Sequence, residues 1–331
     1  MMKFNELEQT TFIVGAERSG STLLRLMLDH HPHIAWCSEF EYAVETEEKD
    51  RSNLEHFYEK LSTNRIFAAH GFTIDKTLNY PDLIKSFLIQ RKQQTNKEIV
   101  GATCHKNFDR LLEIWKDARF IHVLRDPRDV ARSSQEMGWA GNVWVGLDRW
   151  IHSEETWDKL ASILPPERQL EIRYDDFIRK PEETLTKICN FIGTSYDSEM
   201  FNYIHTTDYQ LPDPKLVSQW KHRLSSEDIR LIEARVGSLL DKRGFERSGL
   251  PSLAISPLKI HQLTWQSWWY CISFRIKRYG LKLVLLEFLS RKLGLEQWQK
   301  QLTLEMNEVT NAYCKFDGNP QITEARQKVL N

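Results

Sequence analysis

The chain reads as an α/β protein: a central parallel sheet with helices on both faces, followed by a C-terminal helical extension. Two observations predict this. Short apolar, β-branched runs alternate with helix-period segments, and each run ends in a polar turn. Two of those turns, at residues 15–22 and 125–129, contain arginine and lead straight into a helix. In parallel sheets, ligands gather at that end of the strands. The 331 residues are 41% hydrophobic and 27% charged, an ordinary globular composition with enough apolar material for a full core.

The first strand is Thr11-Phe12-Ile13-Val14, all β-branched or aromatic. Gly15-Ala16-Glu17-Arg18-Ser19-Gly20-Ser21-Thr22 then supplies two glycines, an arginine and three hydroxyls. The following helix carries Leu23, Leu24, Met27 and Leu28 on one face. A helix that opens out of a glycine loop has unpaired N–H groups and a positive dipole end, which suits a phosphate. The spacing is that of the P-loop, G-x-x-x-x-G-K-[ST], but Ser21 stands where the lysine belongs and the cation has moved to Arg18. Without that lysine a nucleoside triphosphatase loses its contact to the transferred phosphate. The loop is therefore built for phosphate rather than ATP chemistry. A plain Gly/Ser turn is the alternative for the same composition.

Arg18-Ser19-Gly20-Ser21-Thr22-Leu23-Leu24 resembles the 5′-phosphosulfate loop of the sulfotransferases, usually R-S-G-T-T-L. These enzymes use 3′-phosphoadenosine 5′-phosphosulfate, PAPS, as sulfuryl donor. The wider stretch Gly15–Pro32, ending Met27-Leu28-Asp29-His30-His31-Pro32, is most similar to the protein-tyrosine and carbohydrate branches. The resemblance implies that Arg18, Ser19, Gly20, Ser21, Thr22 and Leu23 hold the donor's 5′ end. It also implies that Arg18 stabilises charge as the nucleotide leaves.

Glu39 follows seven residues after Pro32, where the protein-tyrosine branch carries its catalytic glutamate. A sulfuryl acceptor needs a base to take its proton, and a placed carboxylate contributes roughly 10²–10⁴-fold. Read without the resemblance, Glu39 is a solvated loop carboxylate. Glu41 stands where that branch has an arginine, a departure that weakens any peptide-substrate analogy. His30, His31 and His33 surround Pro32 without the spacing of a helical ligand pair. They read as a capped helix end, and no metal is expected.

Residues 46–97 read as two helical pieces, with Asn79-Tyr80-Pro81-Asp82 as a helix start. Only the resemblance gives this insert a role, as cover for the acceptor cleft. Glu98 to Ala102 is a second strand, running into His105 and Lys106. Many sulfotransferases carry a lysine near here, often as K-T-P, which this chain lacks. Either side chain, facing the first loop, would stabilise charge on the transferring group. A surface strand end is the alternative.

Arg119 to Leu124 is the next strand, and Arg125-Asp126-Pro127-Arg128-Asp129 turns into a helix through Met137. In sulfotransferases an arginine followed eight residues later by a serine binds the 3′-phosphate. Arg125 and Ser133 have that spacing. Arginine gives a planar fork for two phosphate oxygens, with Arg128 as a possible assistant. Pairing of both arginines with Asp126 and Asp129 in a surface network is the alternative. Gly138–Asn142 is a flexible aromatic loop that the sequence allows to flank the acceptor. A long amphipathic helix follows, with Trp144, Trp150 and Trp157 on its core face.

Gln169 to Phe177 is a strand with a polar exit, and its R-Y-D-D-F is similar to the superfamily landmark whose tyrosine contacts adenine. That role falls to Tyr174. Pro181 opens a helix that Gly193 caps. Ser218-Gln219-Trp220-Lys221 resembles the family's late basic segment, which implies phosphate contacts from Ser218 and Lys221 and a packing place for Trp220 near the nucleotide. An amphipathic connector fits equally well.

Past Gly249 the resemblance stops. It implies a PAPS-binding domain over 1–249, and residues 250–331 form the helical extension. Trp265, Trp268 and Trp269 next to Arg275, Lys277 and Arg278 allow peripheral membrane contact through 260–290. A helical pair on the core or a homodimer face is the blander reading.

Net charge −1 excludes a general nucleic-acid binder. Five widely spaced cysteines, no C-x-x-C, no apolar leader in MMKFNELEQT and no membrane-length apolar run predict a cytoplasmic protein with reduced thiols. The protein-tyrosine relatives are membrane proteins of the secretory pathway, so the address differs. Together these readings predict a PAPS-dependent sulfotransferase that releases 3′,5′-ADP, with a small-molecule, carbohydrate or peptide hydroxyl (or amine) as acceptor. A P-loop kinase-like phosphotransferase and a non-catalytic nucleotide-binding protein of the same fold are the alternatives.

Overall fold

The computed structural model describes residues 7, 9–45 and 53–330. Most of the N-terminal stretch MMKFNELEQT, and residues 46–52 of the insert, lie outside the described residues. Five parallel strands form one sheet: β1 (Thr11–Val14), β2 (Ile34–Glu39), β3 (Ile99–Cys104), β4 (Arg119–Leu124) and β5 (Gln169–Arg173), in the order β2-β3-β1-β4-β5. All four residues of β1 are buried, which explains a continuous apolar run rather than an alternating one. Phe12 and Val14 enter the core on one face of the sheet, and Ile13 enters the core on the other.

Helix α1 (Ser21–His30) carries the chain from β1 toward β2 on one side. From β3 the chain crosses to β4 on the other side of β1. Ligands bind where strand order reverses in this way, at the carboxyl ends. Register puts Val14 beside Cys104 and beside His122, so the exits of β1, β3 and β4 open at one edge.

The insert has three helices rather than two: α2 (Leu54–Thr63), α3 (Arg65–His70) and α4 (Tyr80–Thr95). Asn64 ends α2 and caps α3 through Ile66 N and Phe67 N, an Asx cap that splits the expected piece. Asn79 caps α4, as expected. After β4 come α5 (Pro127–Glu136), a short turn of helix at Val143–Gly146, and α6 (Asp148–Ile163). The predicted single helix thus begins as a separate turn, capped by Asn142 at Val145 N. Trp150 and Trp157 are buried, and Trp144 is half-buried.

The strand expected through Phe177 ends at Arg173. Tyr174–Arg179 is helical, because Asp175 and Asp176 occupy a first helical turn. Helix α7 (Pro181–Ile192) follows and ends at Gly193. The charged helix after Ser225 is α8 (Ser226–Val236), which breaks at Gly237 before a last turn, Ser238–Lys242. Four helices, not a pair, complete the chain: α9 (Pro257–Tyr279), α10 (Leu281–Lys292), α11 (Glu296–Tyr313) and α12 (Pro320–Leu330). Asn307 on α11 donates to Thr63 O, tying the extension to α2. Among the described residues no helix is long and apolar enough to cross a membrane.

Candidate functional site

Residues 15–22 turn tightly between β1 and α1. Gly15 has φ +130°, and a Cβ there would lie 2.7 Å from Val123 O, so only glycine lets the loop lie against β4. Gly20 has φ +94°, and its Cβ would lie 2.5 Å from the Tyr174 ring. Arg18, at φ +72°, holds a left-handed conformation without being glycine. Such residues cluster where a backbone is held for function. No side chain caps α1, so its first N–H groups remain open. Ser19 Oγ is buried and has no partner.

The turn after β4 meets this loop. Asp126 caps α5 by accepting from Arg128 N at 2.9 Å. Arg125 Nη1 donates to Arg18 O at 2.8 Å, and its guanidinium lies 3.9 Å from the Tyr174 ring centre. Trp150 Nε1 donates to Arg125 O at 2.9 Å, fixing the turn from below. Arg18 Nε donates to Ser133 Oγ at 2.9 Å. Arg125 Nε is buried without a partner. Thus Arg18, Arg125, Ser133 and Tyr174, separated widely in sequence, form one cluster. Tyr174 is only 5% exposed, its ring covered by Gly20 and Arg125.

Arg128 does not join them. Its guanidinium is bound by Asp126 and Glu233 and stacks 3.6 Å from Trp220, at 2% exposure. The assistance expected of Arg128 is corrected accordingly: two buried carboxylates occupy it. Trp220 likewise packs behind the turn, on Arg128. Its backbone N–H donates to Asp129 Oδ1 at 2.8 Å. Burial pushes the Asp129 carboxyl up to about 6. The expected surface network is therefore half right, since Asp126 pairs with Arg128 while Arg125 pairs with neither aspartate. Ser218, at φ +52°, follows Leu216, whose carbonyl lies 3.5 Å from Arg125 Nη2. Gln219 accepts from Arg132 at 2.6 Å. These contacts seat the segment beside the Arg125 turn, with the Lys221 side chain exposed on the rim.

On the other flank, the β2–β3 register shifts between Cys37 and Glu39. Such irregularities re-aim side chains next to sites. Glu39 is half-buried there. Burial alone would raise its pKa, but Arg25 and then His105 more than offset this and hold it below the usual carboxylate range. Arg25, buried in α1, is itself ion-paired with Asp317. Burial pushes the neighbouring Glu41 carboxyl up to about 7.

His105 sits behind the loop at 6% exposure. Its Nδ1 is 2.8 Å from Gly15 O and must donate to that carbonyl. In the neutral ring Nε2 is then an acceptor, 3.2 Å from Ser21 Oγ. Glu41 Oε1 accepts from His105 N at 2.9 Å. So the residue in the lysine's place is held by an imidazole. Lys106 lies at the rim, 3.7 Å from Glu17 and 3.8 Å from Glu45, with 43% of its side chain exposed. Glu17 also binds Arg149, which stacks 4.4 Å from Trp139; Trp139 stands 6.0 Å from Arg18. The Gly138–Asn142 loop thus borders the first turn. Thr22 and Leu23 are half-buried on the opening turn of α1.

Sequence reasoning missed Arg25 and Asp317. Arg25 had a signal, being a lone charge inside Leu23–Leu28. Asp317 had none. Among the described residues, no three His, Cys, Asp or Glu side chains converge as metal ligands.

A family model described as the sulfotransferase family matches residues 11–198, which include both arginine turns and Glu39. The omega-hydroxy-beta-dihydromenaquinone-9 sulfotransferase Stf3 of Mycobacterium tuberculosis is 26% identical over 150 residues, 41% of this chain; the match spans only 38% of that protein's length. The protein-tyrosine sulfotransferase of Drosophila melanogaster is 22% identical over 212 residues, 60% of this chain and 41% of that protein. Among solved structures, the sulfotransferase domain from the Synechococcus PCC 7002 olefin synthase is 22% identical and covers 68% of this chain and 93% of that one, with a TM-score of 0.47.

Proposed function

The chain belongs to the sulfotransferase family, and on that premise we propose that it moves a sulfuryl group from PAPS to a hydroxyl or amine of a small-molecule, carbohydrate or peptide acceptor, releasing 3′,5′-ADP. The observation that carries this reading is the junction of the two turns, where Arg18 meets Ser133 and Arg125 meets Arg18 O. A donor with phosphate groups at both ends suits two such turns.

The residues fit that donor. Ser19 Oγ and Arg125 Nε are buried without partners, and α1 opens on uncapped N–H groups. Buried polar atoms of this kind call for a partner, and all three donor sets suit an anion. In this proposal residues 18–23 hold the 5′-phosphosulfate. Arg125 and Ser133 hold the 3′-phosphate, with Ser218 and Lys221 on its outer side. Tyr174, stacked on the Arg125 guanidinium, contacts the adenine. The donor supplies the electrophilic sulfur and the leaving phosphate. Glu39 accepts the proton of the acceptor, in the ionised form that Arg25 favours. Arg18 and the N–H groups of α1 offset the charge that develops on the leaving oxygen. His105 keeps Ser21 and Gly15 in place, and Lys106 contributes positive potential from the rim. A cytoplasmic address goes with this proposal, supported by five free cysteines.

The test is calorimetry with 3′,5′-ADP on the wild type and on Arg125→Ala, followed by transfer assays with PAPS. Binding that needs Arg125 supports the reading. Affinity for ATP without affinity for 3′,5′-ADP overturns it in favour of a phosphotransferase. Binding with no transfer to any hydroxyl or amine acceptor leaves a nucleotide-binding protein.

A further inference from the structure

Helix α9 is apolar on its exposed side as well as its buried one. Its body-facing side packs Leu263, Ser267, Tyr270 and Phe274 onto the Gly138–Asn142 loop and the core beside it. Ser267 Oγ accepts from Gly141 N at 2.8 Å, and Leu263 O accepts from Asn142 Nδ2 at 2.7 Å. Leu263 and Ser267 are buried. Its opposite side is apolar and exposed: Leu258 78%, Trp265 65%, Trp268 52% and Trp269 49%. The spacing from Leu258 to Trp265, Trp269, Ile272 and Ile276 is one continuous helical stripe. Trp269 packs edge-on against both Trp265 and Trp268, at 5.8 and 4.9 Å, so the three rings form one patch. Helix α10 repeats the pattern, with Leu281, Leu285, Phe288 and Leu289 about half exposed.

Charge selects what this surface meets. Residues 257–293 carry seven lysines and arginines against Glu287 alone, in a chain whose net charge is −1. Lys292 lies 5.9 Å from the exposed Phe288 ring, so a cation borders the apolar surface of α10. A second copy of the chain would bring like charge to like charge. An anionic lipid surface offers the complement, since tryptophan rings enter the headgroup boundary while lysine and arginine stems reach lipid phosphates.

We propose that the outer face of α9 and α10 is a peripheral docking surface for an anionic lipid bilayer. This does not depend on the chemistry proposed above. It does bear on where that chemistry occurs, because α9 rests on the Gly138–Asn142 loop, whose Trp139 borders Arg18.

The experiment is sedimentation of the full chain with phosphatidylcholine vesicles, with and without phosphatidylglycerol, at low and high salt. Two variants accompany the wild type: Trp265→Ala/Trp268→Ala/Trp269→Ala, and Lys277→Gln/Arg278→Gln/Lys282→Gln. Circular dichroism checks that each is folded. Binding is expected only with phosphatidylglycerol and is expected to weaken with salt. Either variant should lose about tenfold or more in partitioning, the charge variant because each basic residue near an anionic surface adds to affinity. Brominated lipid should quench tryptophan fluorescence in the wild type and not in the tryptophan variant. If the folded wild type stays in solution with phosphatidylglycerol vesicles, the proposal fails. It fails equally if neither folded variant loses binding. A wild-type dimer that the tryptophan variant dissolves, with no vesicle binding, would assign the face to a second copy instead.

Discussion

Arg18 donates to Ser133 Oγ over 2.9 Å, joining residues 115 positions apart. Arg18 lies in the turn after β1, and Ser133 lies on α5, the helix that follows the turn after β4, so the contact closes the crevice between β1 and β4. Its chemistry makes it replaceable. A hydroxyl is a neutral acceptor, and hydrogen bonds to an anion are about twice as strong. An anion that reaches both turns can therefore displace Ser133 from Arg18 and use both groups.

Gly20 is the point where this cluster tolerates least change. Gly20→Ala places a Cβ 2.5 Å from the Tyr174 ring, on a backbone with φ +94°. A loss of about 1–3 kcal/mol in stability is expected, read as a lower Tm, together with weaker 3′,5′-ADP binding. Tyr174→Ala in the same chain should restore part of the Tm, because it removes the clash. A double-mutant cycle measures that part, and full additivity would mean that the ring simply moves aside.

Glu39→Gln removes the proposed base without changing shape. Turnover is expected to fall by roughly 10²–10⁴-fold, while 3′,5′-ADP affinity stays the same. Because Arg25 and His105 hold Glu39 below the usual carboxylate range, the acid limb of the wild-type pH–rate profile should lie below pH 4.5. Arg25→Met should move that limb upward. Wild-type turnover in Glu39→Gln would put the base elsewhere, with Glu41 the first to try.

Asp317 pairs with Arg25 from a strap that is itself tied down: Asp208 N donates to Phe316 O at 2.8 Å, and Phe316 N donates to Asp208 Oδ2 at 2.9 Å. Asp317→Asn leaves the Arg25 charge partly unmatched. It is expected to cost about 1–3 kcal/mol in a denaturant titration, less than a fully buried pair because Asp317 is 21% exposed. The Michaelis constant for the acceptor should change, and 3′,5′-ADP affinity should not. A change confined to nucleotide affinity would contradict the placement of the strap on the acceptor flank.

Away from the site, His122 is fully buried between Glu154 and Glu171, at 3.3 and 3.1 Å, and stacks on Trp157. Burial alone would lower its pKa, but the two carboxylates win and raise it. A histidine with a raised folded-state pKa stabilises fully below pH 6.5, and that contribution is lost as pH rises through the folded value. Tm should therefore fall with rising pH above 6.5, and His122→Gln should remove this slope while lowering Tm overall. An identical slope in the folded variant would assign it to another group.

The fold was legible because local signals agreed. Thr11–Val14 and Arg119–Leu124 are buried on both faces, so their composition alone marks them as strands. Both arginine turns were legible for the same reason, since a polar turn between strand and helix has few uses. Tyr174 was read as part of a strand running to Phe177, whereas the strand ends at Arg173 and the two aspartates start a helix. Arg128 looked like a ligand because sequence shows charge but not partners, and Glu233 lies 105 positions away. Asp317 could not be found at all, since its meeting with Arg25 spans 292 positions and depends on how four helices pack.

The strap has a consequence for how the protein is made. Arg18, Arg125, Ser133 and Tyr174 all lie before residue 180, while Asp317 is among the last residues synthesised of those described. At about 5–20 residues per second, roughly 7 to 30 s separate the appearance of Tyr174 from that of Asp317. During that interval Arg25 has Glu39 but not Asp317 as a counter-charge.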